Sequence, residues 1–100
     1  MTTTITETTE KIIAVLSGEL DTAAAQETEK ALQPLLESQG KDIILDCEKL
    51  EYISSSGLRV LLSILKQAKS VGSRVVLKNV NEVIKDVLEI SGFISIFELE

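Results

Sequence analysis

Leu50-Glu51-Tyr52-Ile53-Ser54-Ser55-Ser56-Gly57-Leu58-Arg59-Val60-Leu61-Leu62 is the stretch on which the reading of this chain turns. An apolar, strand-like segment runs into three serines and a glycine, and an amphipathic helix follows at once. Strand, tight turn and helix in direct succession form the unit of an α/β domain. The turn also sets several hydroxyls at the free N-terminal end of a helix. Unpaired backbone N–H groups and the helix dipole stabilise a phosphate there. The stretch therefore reads as a candidate serine switch.

Downstream, the spacing predicts a helix from about Ser55 to Val71. Leu58, Leu61, Leu62, Leu65 and Ala68 share one face, widened by Val60, Ile64 and Val71. Arg59, Ser63, Lys66, Gln67 and Ser70 make a narrow polar face, so the helix should be mostly buried. Gly72 suits the position just past its end. Arg74-Val75-Val76-Leu77 reads as a buried strand. Asn79 or Asn81 caps a third helix through Ile90, with Val80, Val83, Ile84, Val87 and Leu88 inward. Gly92 ends it, and Phe93 to Leu99 alternates like a final short strand.

Upstream, Asp42-Ile43-Ile44-Leu45-Asp46 is a nearly unbroken apolar run, the pattern of a parallel strand buried on both faces. Leu50 to Ile53 adds a further extended turn. Thr2 to Thr8 alternates weakly around Ile5 as an edge strand, and Ile12 to Leu16 is a denser, central one. Thr9-Glu10 joins them tightly, which predicts an antiparallel hairpin. Gly18-Glu19-Leu20-Asp21-Thr22 ends the second strand and opens a helix, with Asp21 or Thr22 as N-cap. Ala24, Thr28, Ala31, Leu32, Leu35 and Leu36 recur at helical spacing in it. Pro34 cannot sit comfortably in a helix interior, so a bend or break is expected between Lys30 and Pro34. Gln39-Gly40 stops the helix. The expected fold is one α/β domain over residues 1–100, ordered β-β-α-β-α-β-α-β. Its sheet is mixed: an N-terminal antiparallel hairpin joined to parallel strands.

Composition narrows the function. The chain has 100 residues, 44% apolar, enough for one core. Aromatics are 3%, so that core is aliphatic, and the stacking platforms of single-strand readers are lacking. A net charge of −6 opposes general nucleic-acid binding. With no histidine, the Ser–His triad, histidine phosphocarriers and nearly every zinc site drop out. The single cysteine, Cys47, cannot form an intrachain disulfide. It sits at a strand end with no cation near in sequence, and reads as a packing residue. The first residues are threonine-rich, without a basic start, and no apolar run approaches a membrane span. A cytoplasmic protein is expected.

Ser54, Ser55, Ser56 and Gly57 admit several readings. The plainest is an N-cap with a permissive glycine. One cap needs one serine, which leaves the others free for modification or partner contact. A catalytic serine needs a base in reach, and Lys66 lies three turns along the same helix. A nucleotide loop lacks the Gly-x-x-x-x-Gly-Lys-Ser/Thr pattern. Asp21 is either a helix cap or a surface carboxylate that meets a cationic partner. Its turn and the serine turn both follow strands, so they can share the carboxyl rim of the sheet. Asp21, Asp46, Glu48 and Glu51 are scattered among 16 acidic residues and read as solvated charge rather than a metal site. No cofactor is expected.

With those residues in hand, the chain resembles the anti-sigma factor antagonists of the STAS domain family over nearly its whole length. The resemblance lies in Gly18-Glu19-Leu20-Asp21, Ile44-Leu45-Asp46-Cys47, Tyr52 to Leu61 and Ile90-Ser91-Gly92-Phe93, in that order. It implies a non-enzymatic binding module. The unphosphorylated antagonist binds an anti-sigma factor that is itself a serine kinase, which frees a sigma factor. The kinase, using its own ATP, phosphorylates the serine two residues before the motif glycine and the complex parts. A PP2C-type phosphatase restores binding. The implied acceptor is Ser55, with Ser54 and Ser56 as alternates. Asp21, Ser54, Ser55, Ser56, Gly57 and Arg59 belong to the implied partner surface, and no direct nucleic-acid contact is expected. The alternatives are a STAS scaffold or transporter-associated subunit that is never phosphorylated and, from another class, a small nucleotide-binding protein.

Overall fold

The longest strand organises the sheet. In the computed structural model, which describes residues 1–34 and 40–100, β2 runs Lys11–Leu20. β1 (Thr2–Glu7) pairs with it antiparallel, Thr2 opposite Ser17 and Glu7 opposite Ile12. β3 (Asp42–Asp46) lies parallel to its first half, Lys11 opposite Asp42 and Val15 opposite Asp46. β4 (Leu50–Ile53) then takes over along the second half, Leu20 opposite Ile53. β5 (Val75–Lys78) pairs parallel with β3, and β6 (Glu98–Leu99) parallel with β5. Three helices join these strands: α1 (Thr22–Leu32), α2 (Ser55–Ser70) and α3 (Glu82–Ser91).

The mixed sheet and the hairpin follow the expected plan, with three corrections. Gly18 does not end β2. The strand passes through it at φ 99°, with a register shift between Gly18 and Glu19, and continues to Leu20. A glycine within a strand marks such a bulge. Leu50–Ile53 is a strand in its own right, so the order is β-β-α-β-β-α-β-α-β. Phe93 to Leu99 is not one strand: Phe93–Ser95 winds into a 3-10 turn and only Glu98–Leu99 pairs. That turn tucks Phe97 into the core, which alternation alone could not foresee.

All three helices lie over one face of the sheet. Ile12, Ala14 and Leu16 of β2 and Ile43 and Leu45 of β3 are buried, while Ile13, Val15 and Ile44 between them are only half covered. The apolar run in β3 is therefore sealed on one side, not both. Leu32 of α1, Leu61 and Ile64 of α2 and Ile84 and Leu88 of α3 complete the same core. Each such side chain stabilises the fold by about 1.5–3 kcal/mol. Val83, expected inward, is exposed; the inner line of α3 runs through Ile84 and Leu88. α1 stops at Leu32, and Gln33 and Pro34 continue in a tighter 3-10 turn. Pro34 has no N–H to offer the Lys30 carbonyl. Leu35, Leu36 and the expected stop at Gln39 lie outside the described residues.

Candidate functional site

The bulge at Gly18 carries the end of β2 alongside the end of β4, and two helix starts meet there. Asp21 caps α1: its backbone is extended (φ −89°, ψ −177°) and its Oδ1 accepts the Ala24 N–H at 2.8 Å. Ser54 caps α2 in the same way (φ −88°, ψ 172°), its Oγ accepting the Gly57 N–H at 3.1 Å. The two caps are tied together, since the Ser54 N–H donates to the Leu20 carbonyl at 2.9 Å. Asp21 and the serine turn thus share one rim, as their positions after strands led one to expect.

Gly57 is what lets α2 sit so close. A Cβ at this residue would stand 2.6 Å from Leu20 Cγ and 2.8 Å from the Leu20 carbonyl oxygen. Any side chain would push the helix start away from the rim. The three serines are consequently not equivalent. Ser54 is half-buried with its oxygen engaged as the cap. Ser56 is half-buried in a groove between α1 and α2 that Ala25, Gln26, Glu29 and Arg59 also line. Ser55, the first residue of α2, is exposed.

The charges around the turn are lopsided. Asp21 borders a cleft with Glu19, Glu27 and Glu51. The first turn of α2 holds no acidic residue, so its dipole is uncompensated. Arg59 is exposed on the next turn, lining the α1–α2 groove, and Lys66 shares a shallow groove with it.

Other candidate groups have structural roles. Burial pushes the Cys47 thiol up to about 12, with the Asp46 charge adding to it. It donates to the Leu45 carbonyl at 3.5 Å and stays a packing residue. Asp46 accepts the Glu48 N–H at 3.0 Å and the Asn79 side-chain amide at 3.2 Å. Among the described residues no three acidic or cysteine side chains converge in a way that could hold a metal. No helix among them is long and apolar enough to cross a membrane. Two contributors to the site went unread in the sequence. One is the Leu20 carbonyl, a main-chain group without a sequence mark. The other is the Gly18 bulge, whose mark was a glycine inside an otherwise alternating strand.

Residues 2–100 match the STAS domain family. The chain belongs to that family. It is 40% identical over 86 residues to the Bordetella bronchiseptica protein BtrV, whose name describes it as an anti-sigma factor antagonist. That match covers 86% of this chain and 74% of BtrV. It is 30% identical to the anti-sigma-B factor antagonist of Bacillus subtilis, covering 84% of this chain and 76% of that one. The STAS fold is also that of the Bacillus antagonist SpoIIAA. Its unphosphorylated form superimposes with a TM-score of 0.81 at 23% identity, over 99% of this chain and 88% of SpoIIAA. Its phosphorylated form does so with a TM-score of 0.74, over 99% and 91%. As a STAS domain this chain is a regulatory module and not an enzyme.

Proposed function

We propose that this STAS domain is an anti-sigma factor antagonist acting in the cytoplasm, switched by phosphorylation of Ser55. Unphosphorylated, it binds an anti-sigma factor serine kinase through the rim formed by Asp21, Ser54, Ser55, Ser56 and Arg59, and a sigma factor is released; Gly57, expected on that surface, is buried against Leu20 and shapes the turn from within. The kinase transfers the γ-phosphoryl group of its own ATP to the Ser55 oxygen, which gives up its proton, and ADP leaves. A PP2C-type phosphatase returns the hydroxyl.

The observation that carries this reading is the exposure of Ser55 beside an engaged Ser54 and a half-buried Ser56. Ser54 would have to give up the cap and Ser56 is half covered in the groove, so Ser55 is the serine whose oxygen is open to an incoming kinase. The energetics are adequate. A phosphate adds about 1.5 to 2 negative charges at neutral pH. At the start of α2 the fold tolerates it, and SpoIIAA keeps its fold in both forms. In a tight interface the same group must be desolvated, and a hundredfold loss of affinity needs only about 2.7 kcal/mol.

The test is affinity capture from the native host with the parent, Ser55→Ala and Ser55→Asp, followed by phosphosite mapping. The parent and Ser55→Ala should retain one kinase partner that Ser55→Asp loses. A phosphate found only on Ser54 or Ser56, or equal capture by all three, overturns the assignment.

A further inference from the structure

We infer that Arg59 is the intramolecular counter-ion of a phosphate on Ser55, folding back onto it and so withdrawing from the docking surface when the switch is thrown. This rests on the Ser55 reading above and specifies how that site is regulated. Ser55 and Arg59 are four residues apart on α2 and both are exposed. Residues so spaced are neighbours on a helix surface. Long helical side chains lean toward the N-terminus, so Arg59 covers the turn that begins at Ser55. It borders the groove beside Ser56 accordingly.

Arg59 is also uncommitted. The ion pairs among the described residues are Lys41 with Glu7 and Arg74 with Glu98. Glu29 faces the same groove from α1 without pairing to it. The charged groups on the elements packed around the turn are otherwise carboxylates: Asp21, Glu19, Glu27 and Glu51 border the cleft at the α1 start, and Glu29 lines the groove that holds Ser56 and Arg59. Arg59 is the cation one turn away, and a guanidinium matches two phosphate oxygens at once. Before phosphorylation, the rim shows a free cation to a partner's carboxylates. Afterwards that cation is held and net negative charge remains. The change in the surface therefore exceeds the added charge, and Ser55→Asp, with one charge and fewer oxygens, reproduces only part of it.

The experiment installs phosphoserine at position 55 of the full chain during translation. Its second ionisation, ordinarily near pH ~6, is then followed by phosphorus NMR. Arg59→Gln should raise the midpoint by about 0.4 pH units, the shift that a helical pair at this spacing supplies. Arg59→Lys should recover part of it, and Lys66→Gln should shift it by less than half as much. Equal midpoints in the parent and Arg59→Gln overturn the pairing. So does a Lys66→Gln shift as large as that of Arg59→Gln, which reports general field alone. Because the phosphate is built in, these outcomes do not depend on any kinase. Absence of phosphate from Ser55 in the host would sink the switch reading and leave the pairing result standing.

Discussion

The turn that opens α2 and the turn that opens α3 are built alike and do different work. Both follow a parallel strand and both begin with an extended cap, Ser54 at φ −88° and Asn81 at φ −81°. Each cap accepts the N–H three residues on, Gly57 at 3.1 Å and Ile84 at 3.0 Å. Beyond that they diverge. The α3 start carries Glu82, which complements the dipole, and Asn81 donates to the Leu50 carbonyl at 2.8 Å, anchoring the helix to β4. The α2 start has no acidic residue. It puts a glycine where α3 has buried Ile84, and it leaves one serine in solvent. Cap geometry is therefore common property. A switch needs in addition a first turn with its negative charge missing and a hydroxyl that can supply it.

The sharpest way to break the contrast is at the third helical position. Gly57→Val forces a side chain into Leu20 and should destabilise the fold by about 3 kcal/mol, read by denaturant unfolding. A stability loss below about 1 kcal/mol would show that the helix start is free to move and that the rim is not rigid.

Next come the caps themselves. Asn81→Ala loses both the cap and the anchor to β4 and should cost about 2 kcal/mol, whereas Ser54→Ala loses the cap alone and should cost about 1 kcal/mol. The reverse order in thermal unfolding would remove the anchoring role given to Asn81.

Charge reversal gives a smaller effect with opposite signs. Ser55→Glu supplies the missing charge and should stabilise by about 0.5 kcal/mol, while Glu82→Gln removes the existing one and should destabilise by a similar ~0.5 kcal/mol. Both effects should fade in high salt. If Ser55→Glu destabilises, the acidic cleft beside Asp21 outweighs the dipole at that position.

At the end of β3, Cys47 supplies the least perturbing probe. Its folded pKa lies above that of a free thiol, so the unfolded chain loses its proton first as pH rises. The contribution of this group is whole below the ordinary thiol range and declines as pH climbs through it toward about 12. Native protein should resist a thiol reagent at pH ~8, where free thiols are already reactive. Rapid labelling would mean that the β3 end opens in the native state.

What was legible in the sequence was what neighbours along the chain decide. Asp21 as a cap, the amphipathic face of α2, the halt of α1 before Pro34 and the Gly92 end of α3 all rest on interactions within a few residues. The misreadings share a cause. Gly18 looked like a strand end because its pairing partners, Lys49 and Leu50, are some thirty positions away. Phe93 to Leu99 alternated like a strand, yet the core drew Phe97 in and the backbone turned to allow it. The β3 run was apolar enough for two buried faces, but the helices all pack on one.

The sequence by itself determined the α/β class, the serine turn and the family resemblance, because periodicity, capping and turn chemistry act locally. Only the tertiary structure decided which serine is offered to solvent. That outcome depends on the Leu20 carbonyl holding Ser54, on Gly57 pressed against the same strand end, and on α1 covering Ser56. These are contacts between segments remote in the chain, and exposure is the sum of what every other segment leaves uncovered.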